Sequence, residues 1–407
     1  MSEQQAHNLP TLVVLASTYP RWKDDHEPGF VHEFTRRLTS RFQVIAVVPS
    51  APGAAKHEVL DGVEVIRYRY APRHLETLVN DGGIVTNLRR HRWKWLLVPT
   101  FVLGQVWRTW RLRCTRRIDV VHAHWLLPQG LIAASFSSTP YLVTSHGADL
   151  FAIRGAVPNA LKRWVIRHAA AVTVVSEAMK EELLRIGANF DGIEVRPMGV
   201  DLVDRFTCDS KINRSINEIL FVGRLVEKKG LNYLIDALPI ILRKFPQAYL
   251  TVAGFGPEEA ALREQVTRLN LDEKVKFCGA KLQDELPALY RRAAIFVAPF
   301  VRALSGDQDG LGLVSFEALG CGCPIVISDT PTTRDALPES DGCLRVVPRD
   351  SVALANGVMR VLADQQTHRR GAMACRESIL CRYDWRSVSE GYGEILEACI
   401  RDGRSQD

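Results

Sequence analysis

The sequence predicts an α/β protein made of two doubly wound, Rossmann-like domains that face each other across a cleft. Three observations carry this. Short, uninterrupted apolar runs such as Thr11–Ser17 (TLVVLAS) and Phe42–Pro49 (FQVIAVVP) alternate with stretches of helical periodicity, the signature of strands buried on both faces of a parallel sheet. The alternation occurs twice, and lapses in between over Asp204–Asn217 (DRFTCDSKINRSIN). The polar residues of chemical interest fall at the C-terminal ends of strands, where open parallel sheets bind ligands. At 407 residues the chain is long enough for two full cores.

In order, Thr11–Ser17 is a buried strand ending at Thr18-Tyr19-Pro20, and Arg21–Gly29 is a polar loop. A helix over Phe30–Ser40 places Phe30, Phe34 and Leu38 on one face, and Phe42–Pro49 completes a βαβ unit. Val63–Tyr70 alternates like a more exposed strand. Asp119–Ala123, Tyr141–Ser145 and Ala170–Ser176 are further strands, with helices near Gly130–Ser137 and over Glu177–Ile186. The second series has strands Glu218–Val222, Ala248–Ala253, Lys274–Cys278, Ala294–Ala298 and Pro324–Ser328. Its helices cover Leu231–Phe245, Glu258–Leu269, Glu285–Arg292 and Leu313–Gly320. Long amphipathic helices fill Ser351–Ile400.

Hydrophobic residues at 46% and charged residues at 24% describe an ordinary globular chain. The net charge of +6 is uneven: residues 1–205 carry 26 Lys/Arg against 19 Asp/Glu, the remainder 26 against 27. Much of the excess lies in 89–117, which holds nine Lys/Arg, four of the eight tryptophans and no acid. There Trp93, Leu96, Leu97, Phe101 and Gly104 follow helical spacing, and Pro99 is expected to kink or restart the helix. This segment reads either as a partly core-packed helical insert or as a surface that contacts anionic lipid, with Trp in the headgroup region. No nucleic-acid partner is expected, since no binding module surrounds it. Nine cysteines without a paired framework, no basic-then-apolar leader and no apolar run of ~18 residues point to a cytoplasmic protein, placed at the inner face of the membrane if 89–117 docks there.

The chemistry concentrates in the second series. After strand Ala294–Ala298 comes Gly306-Asp307-Gln308-Asp309-Gly310-Leu311-Gly312, then a helix from Leu313. Glycines let the backbone approach a ligand, and unpaired amides at a helix start suit a phosphate. Strand Glu218–Val222 runs into Gly223-Arg224-Leu225-Val226-Glu227-Lys228-Lys229-Gly230. Arg offers a planar fork and Lys a compact charge to a departing diphosphate. A basic turn alone is more often solvated; a second phosphate-ready loop in the same domain reverses that reading. Glu317 fits a carboxylate that holds a sugar diol. Asp307-Gln308-Asp309 has metal-binding D-x-D form, but the nearby Arg and Lys already neutralise a diphosphate, so no metal is expected. His122 and His124 project to one strand face, lack a third metal ligand, and read as structural or acceptor-side residues.

Together these residues resemble retaining glycosyltransferase family 4, of GT-B fold, over roughly Leu9 to Tyr392. The family's carboxylate–x7–Glu pattern is met by Asp309 and Glu317, its G-R-L-x-x-x-K-G by Gly223–Gly230, and its His-Gly-x-Asp by His146–Asp149. HAHWLLPQG (His122–Gly130) and Pro28-Gly29-Phe30 also match. The resemblance implies that Arg224 and Lys229 grip the diphosphate, and that Glu317 binds the ribose. Gly310, Leu311, Gly312 and Leu313 would receive the phosphates, with the base near Gly279–Leu282. His146 would contact the donor sugar, and Gly29 and His124 would border the acceptor. Asp309 stands where the family usually has Glu, one methylene longer. The implied domains are an acceptor-side domain 1–203, a linker 204–217, a donor domain 218–382 and a C-terminal helix, 383–407, returning to the first.

The implied reaction transfers a sugar from a nucleotide-diphosphate sugar to a hydroxyl acceptor with retention, through a front-face, ion-pair-like step. The acceptor the resemblance implies is a glycan or lipid-linked glycan of cell-envelope or exported polysaccharide assembly. No cofactor is expected beyond the nucleotide sugar as co-substrate. Two alternatives stay open at this stage: a GT-B phosphorylase or sugar-phosphate synthase, and a non-enzymatic lipid- or RNA-binding protein.

Overall fold

The computed structural model describes residues 9–23, 25, 29–79, 83–136, 138–188, 190, 192–209, 211–337 and 339–404. The chain packs as two compact units, Met1–Met198 with Arg386–Asp407, and Gly199–Trp385. The stretch expected as a linker, 204–217, lies inside the second unit. Arg214 fixes it there by donating to the carbonyls of Tyr290, Ala293 and Cys321.

In the first unit, eight strands form one sheet: β1 (Thr11–Leu15), β2 (Gln43–Pro49), β3 (His57–Leu60), β4 (Val63–Tyr68), β5 (Val120–His124), β6 (Tyr141–Ser145), β7 (Ala171–Val174) and β8 (Ile193–Val195). Their order is β3-β4-β2-β1-β5-β6-β7-β8, parallel throughout except β3 against β4. β1, β5 and β6 are buried almost without interruption, as their apolar runs require.

β4 departs from expectation. It is buried at five of six positions, not exposed. The unpredicted β3 covers its outer edge, and helix Leu97–Thr115 covers its face, with Phe101 set edge-on against Tyr68 and Tyr70. That helix approaches closely because Gly104 has no side chain: a Cβ there would stand 2.7 Å from the Arg69 carbonyl oxygen. The helix restarts at Leu97 after a 3₁₀ turn over Arg92–Leu96, so Pro99 falls in its first turn, where no N–H is needed. Its buried stripe is Leu97, Phe101, Gln105, Thr109 and Leu112. Trp93 and Leu96, expected on that face, are exposed instead.

The second unit holds β9 (Glu218–Val222), β10 (Tyr249–Ala253), β11 (Val275–Phe277), β12 (Ile295–Ala298), β13 (Ile325–Ser328) and β14 (Cys343–Val346), all parallel, in the order β11-β10-β9-β12-β13-β14. Ile219, Phe221, Leu250 and Val252 on the strands pack against Leu234, Leu238 and Ile241 of helix Leu231–Lys244. Each such buried side chain stabilises the fold by about 1.5–3 kcal/mol. The strand sequence runs outward from β9 one way and from β12 the other, so the topological switch lies between them. Crevices at such switch points, beyond the C-terminal strand ends, are where ligands bind. In the first sheet the switch lies between β1 and β5.

Candidate active site

At the second unit's switch point, the loops after β9 and β12 are locked together. Val301 N donates to the Lys228 carbonyl at 2.9 Å, and Leu304 N donates to Glu227 Oε1 at 2.7 Å. Gly230, in the left-handed region at φ 66°, permits the approach, because a Cβ would fall 1.9 Å from the Pro299 carbonyl oxygen. Across this junction Lys229 Nζ donates to Asp309 Oδ2 at 2.6 Å, and Lys228 Nζ lies 3.3 Å from Asp307 and 3.6 Å from Asp309. Lys229 also stands over the Phe300 ring. Burial alone would raise the Asp309 pKa; the Lys229 and Lys228 ammoniums, with Arg224 adding to them, outweigh it and hold the carboxylate below its ordinary range. Arg224 belongs to the same cluster, yet its guanidinium makes no hydrogen bond among the described residues. The two lysines face carboxylates, whereas this arginine has its full fork available.

Gly310, Leu311 and Gly312 are buried and lead into helix Leu313–Gly320. Gly312 precedes the helix at φ 71° with no side-chain cap, which leaves the first amides unpaired by any capping group. One and a half turns on, Glu317 is buried, its Oε1 accepting from Gln283 Nε2 at 3.0 Å and its Oε2 from Tyr290 Oη at 2.9 Å. Burial raises its pKa, and those two hydrogen bonds and the Lys229 and Arg205 charges offset it only in part. Gly279, beyond β11 at φ 68°, has open space where a side chain would stand. The Gly279–Gln283 loop reaches Glu317 through Gln283. Asp309 and Glu317 thus have separate partners, a lysine pair for one and an amide and a phenol for the other. Gln283 and Tyr290 escaped the sequence reading, since no fixed spacing links them to Glu317.

In the first unit, His146 follows β6 and is bracketed by Phe30 and Trp125, whose ring centroids lie 5.0 and 5.2 Å from its own. Phe30 begins the helix that Gly29 precedes, and the Gly29 carbonyl accepts from Glu33 N at 2.8 Å, so the expected acceptor-side loop abuts His146. Pro28 lies outside the described residues. Asp149 is buried, its Oδ2 accepting from Leu126 N and its Oδ1 from Ser145 Oγ, which ties the turn after β5 to the turn after β6. His124 is fully buried and hydrogen-bonds His146, so it lies inside the fold and not at a surface.

Two family models cover this architecture in sequence. "Glycosyltransferase Family 4" matches residues 30–204, including His124 and His146, and "Glycosyl transferases group 1" matches 206–377, including Arg224, Lys229, Asp309 and Glu317. Glycogen synthase of Mycobacterium tuberculosis is 29% identical over 391 residues, 92% of this chain and 91% of that protein. A GDP-mannose-dependent alpha-(1-6)-phosphatidylinositol monomannoside mannosyltransferase of Mycolicibacterium smegmatis is 27% identical over 66% of this chain and 72% of its own. Among solved structures, sucrose-phosphate synthase from Thermosynechococcus elongatus superposes with a TM-score of 0.76 at 19% identity, covering 97% of this chain and 100% of that one. Anabaena HepE, solved with UDP and glucose, gives 0.73 at 16% identity, covering 96% and 100%. With both halves matched in sequence and both sheets in topology, the chain belongs to glycosyltransferase family 4, has the GT-B fold, and is a hexosyltransferase.

Proposed function

We propose that the protein transfers a sugar, with retention, from a nucleotide-diphosphate sugar to a hydroxyl of a glycan or lipid-linked glycan, in cell-envelope or exported polysaccharide assembly. The observation that carries this is the crevice at the second switch point. Cations and uncapped helix amides gather at one end of it, and the buried Glu317 carboxylate lies at the other. That spacing of functions suits a diphosphate and a nucleoside. The GDP-mannose-dependent relative and the UDP-bound neighbour support the donor class.

In this reading the bond between the anomeric carbon and the β-phosphate oxygen breaks, and the electron pair stays on the phosphate. Arg224 and Lys229 stabilise that growing charge. The acceptor hydroxyl attacks from the face the phosphate leaves, and its proton passes to the phosphate oxygen. His146 holds the donor sugar, Asp309 aligns Lys229, and Glu317 holds the ribose. Incubating the protein with UDP-glucose and with GDP-mannose tests the donor, since a donor at 100 times its Kd stabilises the fold by about 2.7 kcal/mol. A raised Tm with one of them is expected. The anomeric proton coupling of the transferred sugar tests retention. No stabilisation by any nucleotide sugar, or an inverted product, overturns the corresponding half of the proposal.

A lipid-linked acceptor would bring the protein to a membrane surface, and helix Leu97–Thr115 supports that reading. Opposite its buried stripe it presents Leu103, Trp107 and Trp110, each more than half exposed, and Trp95 and Leu96 continue the apolar surface at 60% and 79% exposure. Arg111 lies over Trp107, and Arg108 and Arg113 flank the tryptophans. Among the described residues no helix is long and apolar enough to cross a membrane, so contact would be peripheral. Flotation with phosphatidylglycerol vesicles at low salt is expected to carry the protein. Arg111→Ala is expected to weaken the association about fivefold, the ~1 kcal/mol of one interfacial cation. Absence of co-flotation defeats this part.

A further inference from the structure

The rings of His124 and His146 are within 9° of parallel, their centroids 5.1 Å apart, and His124 Nδ1 lies 2.9 Å from His146 Nε2. A face-to-face pair at that centroid separation would not bring two ring nitrogens so close. The rings share a plane and are joined edge to edge by one N–H···N bond. We propose that His124 is a positioning residue: it donates this proton and fixes His146 as the neutral tautomer protonated on Nδ1, so that His146 offers the donor sugar a hydrogen-bond donor and not a base. The contact with the sugar rests on the function proposed above; the tautomer does not.

The direction of the bond follows from the far side of His124. Its Nε2 is buried and has no partner among the described residues. Were His146 the donor, a neutral His124 would carry its proton on Nε2, an orphaned N–H in the core. With His124 as donor, Nε2 is only a bare lone pair. Orphaned buried N–H groups are the rarer of the two. A doubly protonated pair is disfavoured, because burial pushes the His146 pKa down to about 3.

The layer beneath holds the ring of His124 in place. His122 packs against it, centroids 4.2 Å apart, and repeats its pattern: Nδ1 is buried without a partner among the described residues, and Nε2 lies 2.7 Å from Thr144 Oγ1. Thr144 bonds Thr173 at 2.6 Å, both hydroxyls face Tyr392, and Tyr392 Oη donates to the Arg196 carbonyl at 2.9 Å. A single donor direction satisfies the series, from His122 Nε2–H through the hydroxyls to the Arg196 carbonyl. Phe34 sets its edge against both histidines and Tyr392.

The test is the tautomer itself, read from long-range proton–nitrogen correlation spectra of the full chain carrying ring-¹⁵N histidine, with the His146 signals assigned by their loss in His146→Asn. Wild type is expected to show His146 protonated on Nδ1. His124→Val is expected to release it toward the Nε2–H form and to lower kcat about five- to tenfold, the worth of one neutral hydrogen bond, with the donor KM within twofold. His124→Asn, whose amide nitrogen stands near the lost Nδ1, is expected to restore the Nδ1–H form and most of kcat. This keeps the test decisive if the valine variant does not fold. An Nε2–H His146 in wild type, or an unchanged tautomer in a folded His124→Val, overturns the proposal. Wild-type transfer by His146→Ala, which keeps no donor at the Nδ1 position, overturns the role of His146 in the reaction, and with it the positioning role, whatever the spectra show.

Discussion

Arg224→Ala is expected to lower kcat by on the order of 10²–10³, the effect of removing one preorganised charge stabiliser, and to change the donor KM far less. The asymmetry comes from the pairing in the crevice. Lys229 is bonded to Asp309 and Lys228 faces Asp307, so part of their charge is already balanced before a donor arrives. The Arg224 guanidinium has no such bond among the described residues, and its interaction grows as charge moves onto the leaving phosphate. An interaction stronger in the transition state than in the ground state appears in kcat. Arg224→Lys is expected to recover only part of the loss, since a point charge does not reproduce the planar fork. Steady-state kinetics with saturating acceptor measure both variants, and near-normal turnover of Arg224→Ala would remove diphosphate stabilisation from this loop.

Glu317→Gln is expected to weaken nucleotide binding about 10- to 150-fold, corresponding to loss of a charge-assisted hydrogen bond of ~1.5–3 kcal/mol. Stability should behave in the opposite sense. Burial raises the Glu317 pKa above that of the unfolded chain, so at neutral pH ionising this carboxyl is harder in the folded protein than in the unfolded one. The fold is therefore less stable above the unfolded-state pKa than below it, and a neutral amide of the same shape is expected to leave Tm unchanged or raise it. Titration calorimetry with UDP and with GDP, beside a melting curve, separates the two effects. Equal affinity in wild type and variant would take the ribose contact away from Glu317. A lowered Tm with unchanged affinity would make the residue structural, a part of the Gln283 and Tyr290 network alone.

Much of this architecture was legible in the sequence because its causes are local. β1, β9 and β12 are buried on both faces and so read as unbroken apolar runs, and glycine loops after strands announce themselves by composition. What stayed hidden depends on contacts between distant segments. β4 reads as exposed because nothing in its own residues reveals β3 at its edge or Phe101 on its face. Trp93 and Leu96 share the period of the buried stripe, but a 3₁₀ turn before Leu97 breaks the phase and turns them outward. Asp309 and Glu317 are eight positions apart, yet only the folded loops show that the first is held by lysines and the second by Gln283 and Tyr290. His124 reads from the sequence as either a structural or an acceptor-side residue. Its burial follows from β6, Phe34 and the C-terminal helix closing over it, and none of these adjoins it in sequence.

That last helix, Trp385–Arg404, also bears on how the protein is made. Tyr392, among the largest fully buried side chains, completes the layer under His124, and Arg41 binds Glu397 on the same helix. The first unit is therefore discontinuous, with its closing piece encoded after the whole of the second. On the ribosome, residues 1–198 emerge first but must wait for nearly two hundred more before Tyr392 exists to seal them, whereas Gly199–Trp385 is contiguous and can close as soon as it is free. Vectorial synthesis would thus finish the later-encoded unit first. The histidine layer would be among the last parts of the molecule to be shut away from water.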